Sequence, residues 1–222
     1  MQRSLTARLW YGFLHVVCRT FFTVMCQIRV RGRHLEPRHG GVLVVSNHQS
    51  HLDPVLVGLA CSRRLNYLAR STLFAFAPFR WLIRSLDAIP IEREGIGMGG
   101  LKETLRRLKG EEMVLIFPEG TRSTDGEVAP LKPGFCVLAR RGHIRLLPVA
   151  VEGSFAAWPR WHRWPRPAVI HVQFGEPLQP DQLQSLDDAQ LVAEVQARLV
   201  ACHAAARESV RRALGSGRIA RR

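Results

Sequence analysis

From residue 28 onward, short apolar runs alternate with stretches whose apolar positions recur at helical spacing. Runs at 28–31, 42–46, 65–68, 89–91, 113–117, 146–151 and 169–174 read as strands. The run at 113–117 is unbroken, as strands covered on both faces are. Helices are predicted at 54–61, at the Leu101, Leu105, Leu108 stretch that stops at Gly110, and at 131–141 before Gly142. A last helix begins near Asp187 or Asp188 and places Val192, Val195, Leu199 and Cys202 on one face. Strands alternating with helices predict an α/β fold: a single domain with a mixed, mostly parallel sheet covered by helices. No repeat, low-complexity tract or linker divides the chain.

The segment before residue 28 follows another pattern. Leu9, Trp10, Phe13, Leu14, Val17 and Phe21 belong to an apolar, aromatic-rich stretch that His15, Arg19 and Gln27 interrupt. A spanning helix needs about 20 residues with few charges, and a signal peptide needs an uninterrupted core and a small-residue cleavage site. Arginines 3, 8 and 19 around such a stretch suit a helix lying in a membrane interface. A helix packed on the protein's own core fits comparably. The expected organisation is a membrane-associated helical segment at 1–27, a domain at 28–205 and a basic tail at 206–222.

Charge adds a partner class. The 222 residues carry 32 Lys and Arg against 18 Asp and Glu, a formal net charge of +14. Such a surplus points to a polyanionic partner: nucleic acid, an anionic membrane surface or phosphorylated substrates. No nucleic-acid-binding motif is present, and the aromatics read as grouped with apolar residues instead of alternating with Lys and Arg, so nucleic acid is set aside. The five cysteines are scattered without a C-x-x-C pair. Neither a disulfide framework nor a metal site is expected.

Two segments carry candidate chemistry, each directly after a predicted strand, where α/β proteins place their ligands. The first is Asn47-His48-Gln49-Ser50-His51-Leu52-Asp53. On a regular helix His48 and Asp53 would point about 140° apart. They meet only if the chain turns after His48 and a helix starts at Asp53, and Asp53-Pro54 is a favourable cap and first residue. A histidine held by a carboxylate is the arrangement of a general base. The plain alternative is that Asp53 caps a helix and His48 sits in a loop. His51 is a second histidine, placed differently relative to Asp53.

The second segment is Phe117-Pro118-Glu119-Gly120-Thr121-Arg122-Ser123. Pro118 and Gly120 bend the chain, Gly120 admits a close ligand, and Arg122 offers a phosphate-binding fork. Lys132 adds a cation nearby in sequence. Alone, this is a strand-to-loop turn with a surface arginine. Two weaker segments are Ala88-Ile89-Pro90-Ile91-Glu92-Arg93 and the apolar Leu147-Pro148-Val149-Ala150.

In this order, the four segments resemble those of the lysophospholipid acyltransferase family, which includes 1-acylglycerol-3-phosphate acyltransferases. The resemblance spans about residues 28–177: His48 and Asp53 match a His-x4-Asp motif, and residues 117–123 match a Phe-Pro-Glu-Gly-Thr-Arg-Ser motif without a change. It implies transfer of a fatty acyl group from acyl-CoA or acyl carrier protein to the free hydroxyl of a lysophospholipid, chiefly 1-acyl-glycerol-3-phosphate, with no metal or cofactor. It implies His48 as base, Asp53 as its partner, and Arg93, Glu119, Gly120, Thr121 and Arg122 as glycerophosphate ligands, with Lys132 assisting. It places the protein on an anionic membrane surface, at the cytoplasmic face of the inner membrane. Arg80, Asp87 and Pro90 depart from common family choices and bear on acceptor identity more than on catalysis. Another lysolipid, glycerol-3-phosphate itself, or a non-catalytic membrane-binding role are the alternatives.

Overall fold

The computed structural model describes residues 5–75, 77, 80, 81, 83, 88–91 and 97–215. Seven strands form one sheet: β1 (Gln27–Arg31), β2 (Val42–Ser46), β3 (Leu65–Arg70), β4 (Ile89–Ile91), β5 (Met113–Ile116), β6 (Arg145–Glu152) and β7 (Val169–Phe174). Their order is β1-β7-β6-β2-β5-β3-β4. Every pairing is parallel except β6 with β7. The expected mixed, mostly parallel α/β sheet is therefore present. Because β7 runs against β6, and β1 runs with β7, the carboxyl ends of β2, β5 and β6 lie at the same end as the amino ends of β1 and β7.

Side chains alternate across the central strands and build two cores. Val42, Val44, Leu115, Leu147 and Val149 point to one face, where they meet Leu56 and Val57 of helix α2 (Asp53–Ala60). Leu43, Val45, Val114, Ile116 and Leu146 point to the other. There they meet Leu108 of α3 (Gly97–Lys109), Leu138 of α4 (Cys136–Arg141) and the long helix α7 (Asp188–Gly215). Gly41 lets α3 close against the sheet: a Cβ there would sit 2.2 Å from the Leu108 carbonyl oxygen.

Helix α1 (Leu5–Met25) precedes β1. Phe22 packs into the α2 side of the core. Leu9, Phe13, Val16, Phe21 and Val24 are exposed. Both readings of the N-terminal segment thus have a physical counterpart: one side packs inward and an apolar side faces out. Among the described residues, no helix is long and apolar enough to cross a membrane.

The elements differ from the sequence reading in three places. The helix read at 131–141 begins only at Cys136, after a 3-10 turn at Pro133–Phe135. Lys132, held extended before Pro133, donates its backbone N–H to the Pro118 carbonyl instead. Two short helices were unread: α5 (Ser154–Ala157) and α6 (Pro180–Ser185), the latter opened by a Gln179–Gln182 capping box. Finally, α7 continues through Gly215, into the segment read as a tail from 206, because Ala206, Val210 and Ala213 prolong its buried face. All five cysteines are free.

Candidate active site

β2 ends at Ser46, and the chain turns before α2 starts at Asp53. That turn brings His48 Nδ1 to 2.9 Å from Asp53 Oδ2. Pro54 sits at the head of α2 as the sequence predicts, but Asp53 does not cap it. Its Oδ2 reaches back and accepts the backbone N–H groups of Gln49 and Ser50, both at 2.6 Å. The carboxylate thus fixes the loop as well as the imidazole. Asp53 is fully buried, while the His48 side chain retains 20% of its exposure. One edge of the ring is held by the carboxylate, and the side chain stays partly exposed. Phe117, at the end of β5, stacks on the ring with centroids 4.1 Å apart.

The loop after β5 is bonded directly to this turn. His48 N–H donates to Glu119 Oε1 at 3.0 Å, and Ser123 N–H donates to the His48 carbonyl at 2.7 Å. The two sequence motifs therefore fold as one unit. Gly120 takes φ +73°, and a Cβ on it would lie 2.9 Å from Lys132 Nζ. The positive φ is what favours glycine at this turn, and the lysine side chain crosses over it. Thr121 is exposed, and Arg122 is half-buried with its guanidinium against His51 Nε2. His51 stands over Trp158 at 5.1 Å between ring centroids. Burial, then the Arg122 charge, hold its imidazole below the ordinary value. Arg93 lies outside the described residues.

Glu119 is the electrostatic oddity. Burial pushes its carboxyl up to about 7, helped by the charges of Asp53 and Asp125 and opposed by backbone N–H groups of His48 and Ala129. Its Oε2 is buried with no hydrogen-bond partner among the described residues. A folded value above the ordinary 4.5 means that protons favour the folded state. This stability is complete below the unfolded value and is lost as pH rises through about 7. Glu119→Gln keeps an oxygen for the His48 N–H and removes the titration. Its stability relative to wild type should be unchanged near about pH 4 and higher by roughly 3 kcal/mol at about pH 8. Urea unfolding across pH checks this; a difference that does not vary with pH would remove Glu119 as the titrating group.

Behind the motif lies a polar cluster that the sequence reading missed. Asn47 locks the loop to β6: its Nδ2 donates to the Val151 carbonyl and its Oδ1 accepts the Val151 N–H. Gln49 contacts the Gly126 carbonyl, and His203 Nε2 lies 2.8 Å away. His203, on α7, sits 2.6 Å from Glu152 Oε2 at the end of β6. Burial raises the Glu152 carboxyl, but its contacts with His203, Gln49 and Arg207 together hold it below the ordinary value. The signal was legible: a histidine four residues after Leu199 falls on the buried side of α7.

The Acyltransferase family profile matches residues 27–152. The chain is 26% identical over 169 residues to a 1-acyl-sn-glycerol-3-phosphate acyltransferase of Bacillus subtilis, covering 76% of this chain and 82% of that protein. It is 30% identical over 174 residues to a protein of the same name from Limnanthes douglasii, covering 72% of this chain but only 58% of the relative. In fold it is similar to the crystal structure of the 1-acyl-sn-glycerophosphate acyltransferase of Thermotoga maritima, with a TM-score of 0.77 at 23% identity, over 90% of this chain and 81% of that one. With the family profile matched along more than half of its 222 residues, from β1 through β6 and across both loops of the site, the chain belongs to the acyltransferase family.

Proposed function

We propose that the protein transfers a fatty acyl group from acyl-CoA or acyl carrier protein to the free hydroxyl of 1-acyl-glycerol-3-phosphate, giving phosphatidic acid. The observation that carries this reading is the His48–Asp53 contact of 2.9 Å at the open end of the parallel strands. Asp53 holds the proton on Nδ1, leaving Nε2 with a lone pair. Nε2 takes the proton from the acceptor hydroxyl as its oxygen bonds to the thioester carbonyl carbon. The tetrahedral intermediate then collapses, the C–S bond breaks, and the thiolate leaves to be protonated by His48 or solvent. No group on the protein is acylated. The names of the curated relatives and the unchanged 117–123 motif favour a glycerophosphate acceptor.

In this reading, Arg122 and Lys132 anchor the phosphate, together with Arg93, while Glu119, Gly120 and Thr121 shape the turn that receives it. The exposed apolar side of α1 and the +14 charge support association with an anionic membrane surface, in this reading the cytoplasmic face of the inner membrane. Transfer should be measured with acyl-CoA and with acyl carrier protein against a panel of lysolipids and glycerol-3-phosphate. The expected result is highest turnover with 1-acyl-glycerol-3-phosphate; no transfer to any acceptor overturns the reading. Arg122→Ala should raise the acceptor KM by roughly 10–100-fold, the worth of a hydrogen bond to a charged group, and leave the donor KM nearly unchanged. Equal changes in both would remove Arg122 from phosphate binding.

A further inference from the structure

The segment between α5 and β7 reads Trp158-Pro159-Arg160-Trp161-His162-Arg163-Trp164-Pro165-Arg166-Pro167. Here aromatics and arginines do alternate, against the reading of the chain as a whole. No acidic residue lies between Glu152 and Glu176. Arg160, Arg163 and Arg166 are exposed and make no ion pair among the described residues. Trp161 is 58% exposed and Trp164 72%. Indole rings are rarely left in water without a use: they are amphipathic, and they concentrate at membrane–water interfaces.

The loop is built to present these side chains. Trp158 Nε1 donates to the His162 carbonyl at 2.8 Å, and Arg166 N–H closes the loop on the Ala157 carbonyl at 2.8 Å. Phe155 braces Trp161 edge-on at 5.4 Å. At its root, the Trp158 carbonyl accepts the Ser50 hydroxyl at 2.7 Å, and the Trp158 ring meets His51. The loop therefore joins the turn that carries His48. Just past its other end, the Ala168 carbonyl accepts the N–H of Gln27, the first residue of β1, at 3.1 Å, two residues after α1 ends at Met25. The carboxyl-terminal part of α1 bears exposed Phe21 and Val24.

We propose that loop 158–167 is a second membrane anchor, independent of α1, that seats the mouth of the acyl-transfer site on an anionic lipid surface. The proposal rests on the acyltransferase reading for its purpose, but not for its test. Arginines at an anionic surface and indoles in the interface act together, and a loop tied to the His48 turn fixes how the site faces the lipid. An acidic carrier protein would account for the arginines, but it gives no reason for two exposed indoles.

The test uses the full chain and sedimentation with vesicles of pure phosphatidylcholine or of equimolar phosphatidylcholine and phosphatidylglycerol. Changing Arg160, Arg163 and Arg166 to Gln should weaken binding to the anionic vesicles by roughly fivefold per arginine, about a hundredfold in all, and leave binding to phosphatidylcholine unchanged. Trp161→Ala with Trp164→Ala should weaken binding to both vesicles by about tenfold. Wild-type binding by both variants overturns the anchor. So does wild-type vesicle binding with transfer slowed only from acyl carrier protein, which would make the loop a carrier-docking face. If the vesicle pattern holds while no lysolipid is acylated, the anchor stands and the proposed activity fails.

Discussion

Replacing His48 with alanine is expected to lower kcat for acyl transfer by roughly 10²–10⁴-fold, the usual worth of a positioned base, with the acceptor KM little changed. A neutral alcohol is a poor nucleophile, and no other described side chain is equally placed. His51 contacts Arg122 and Trp158, and its imidazole is held low first by burial and then by the guanidinium. Glu119 is committed through Oε1 to the His48 backbone. Asp53→Asn should cost roughly 10²-fold or more. An amide oxygen can still accept the Gln49 and Ser50 N–H groups, but a neutral partner no longer stabilises the imidazolium. That variant therefore separates charge from loop geometry. Thermal unfolding should move far less than kcat in His48→Ala: the stacking on Phe117 and the bond to Asp53 are lost, but the Asp53 carboxylate keeps the Gln49 and Ser50 N–H groups. Transfer close to the wild-type rate in His48→Ala would take the histidine out of the mechanism.

Much of this site was legible because its two motifs are local. A strand, a turn and Asp-Pro at a helix start are short-range features, and they were enough to bring His48 to Asp53. What they did not reveal is where the carboxylate spends its hydrogen bonds. Asp53 was read as a cap for its own helix, yet its Oδ2 binds amides upstream. Strand direction was equally hidden. The apolar run at 169–174 is the same whether β7 runs with β6 or against it, and only the length and path of residues 153–168 decide. The short helix at Pro180–Ser185 escaped because glutamine fills the capping positions usually held by Ser, Thr or Glu. Arg93, assigned through the family resemblance, lies outside the described residues and stays an inference from sequence.

The second large effect is expected far from His48 in sequence. His203→Ala should lower stability by roughly 1–3 kcal/mol, the cost of taking a hydrogen-bond partner from a largely buried carboxylate. Glu152 Oε2 would lose its 2.6 Å contact and keep only Gln49 at 3.4 Å and Arg207 at 3.9 Å. Catalysis should fall too, because Gln49 follows His48 directly, and its backbone N–H is one of the groups that holds Asp53. Stability and catalysis can be separated. Changing both His203 and Glu152 to leucine removes the buried charge together with its partner, so much of the lost stability should return. The Gln49 side chain would still lack its contacts with His203 and Glu152, so kcat should stay low while the acceptor KM holds. Urea unfolding and steady-state kinetics on both variants read the two effects. If kcat recovers along with stability in the double variant, α7 serves the catalytic loop only by keeping the protein folded. If kcat stays low in a protein as stable as wild type, the long helix acts through Gln49 to aim the base.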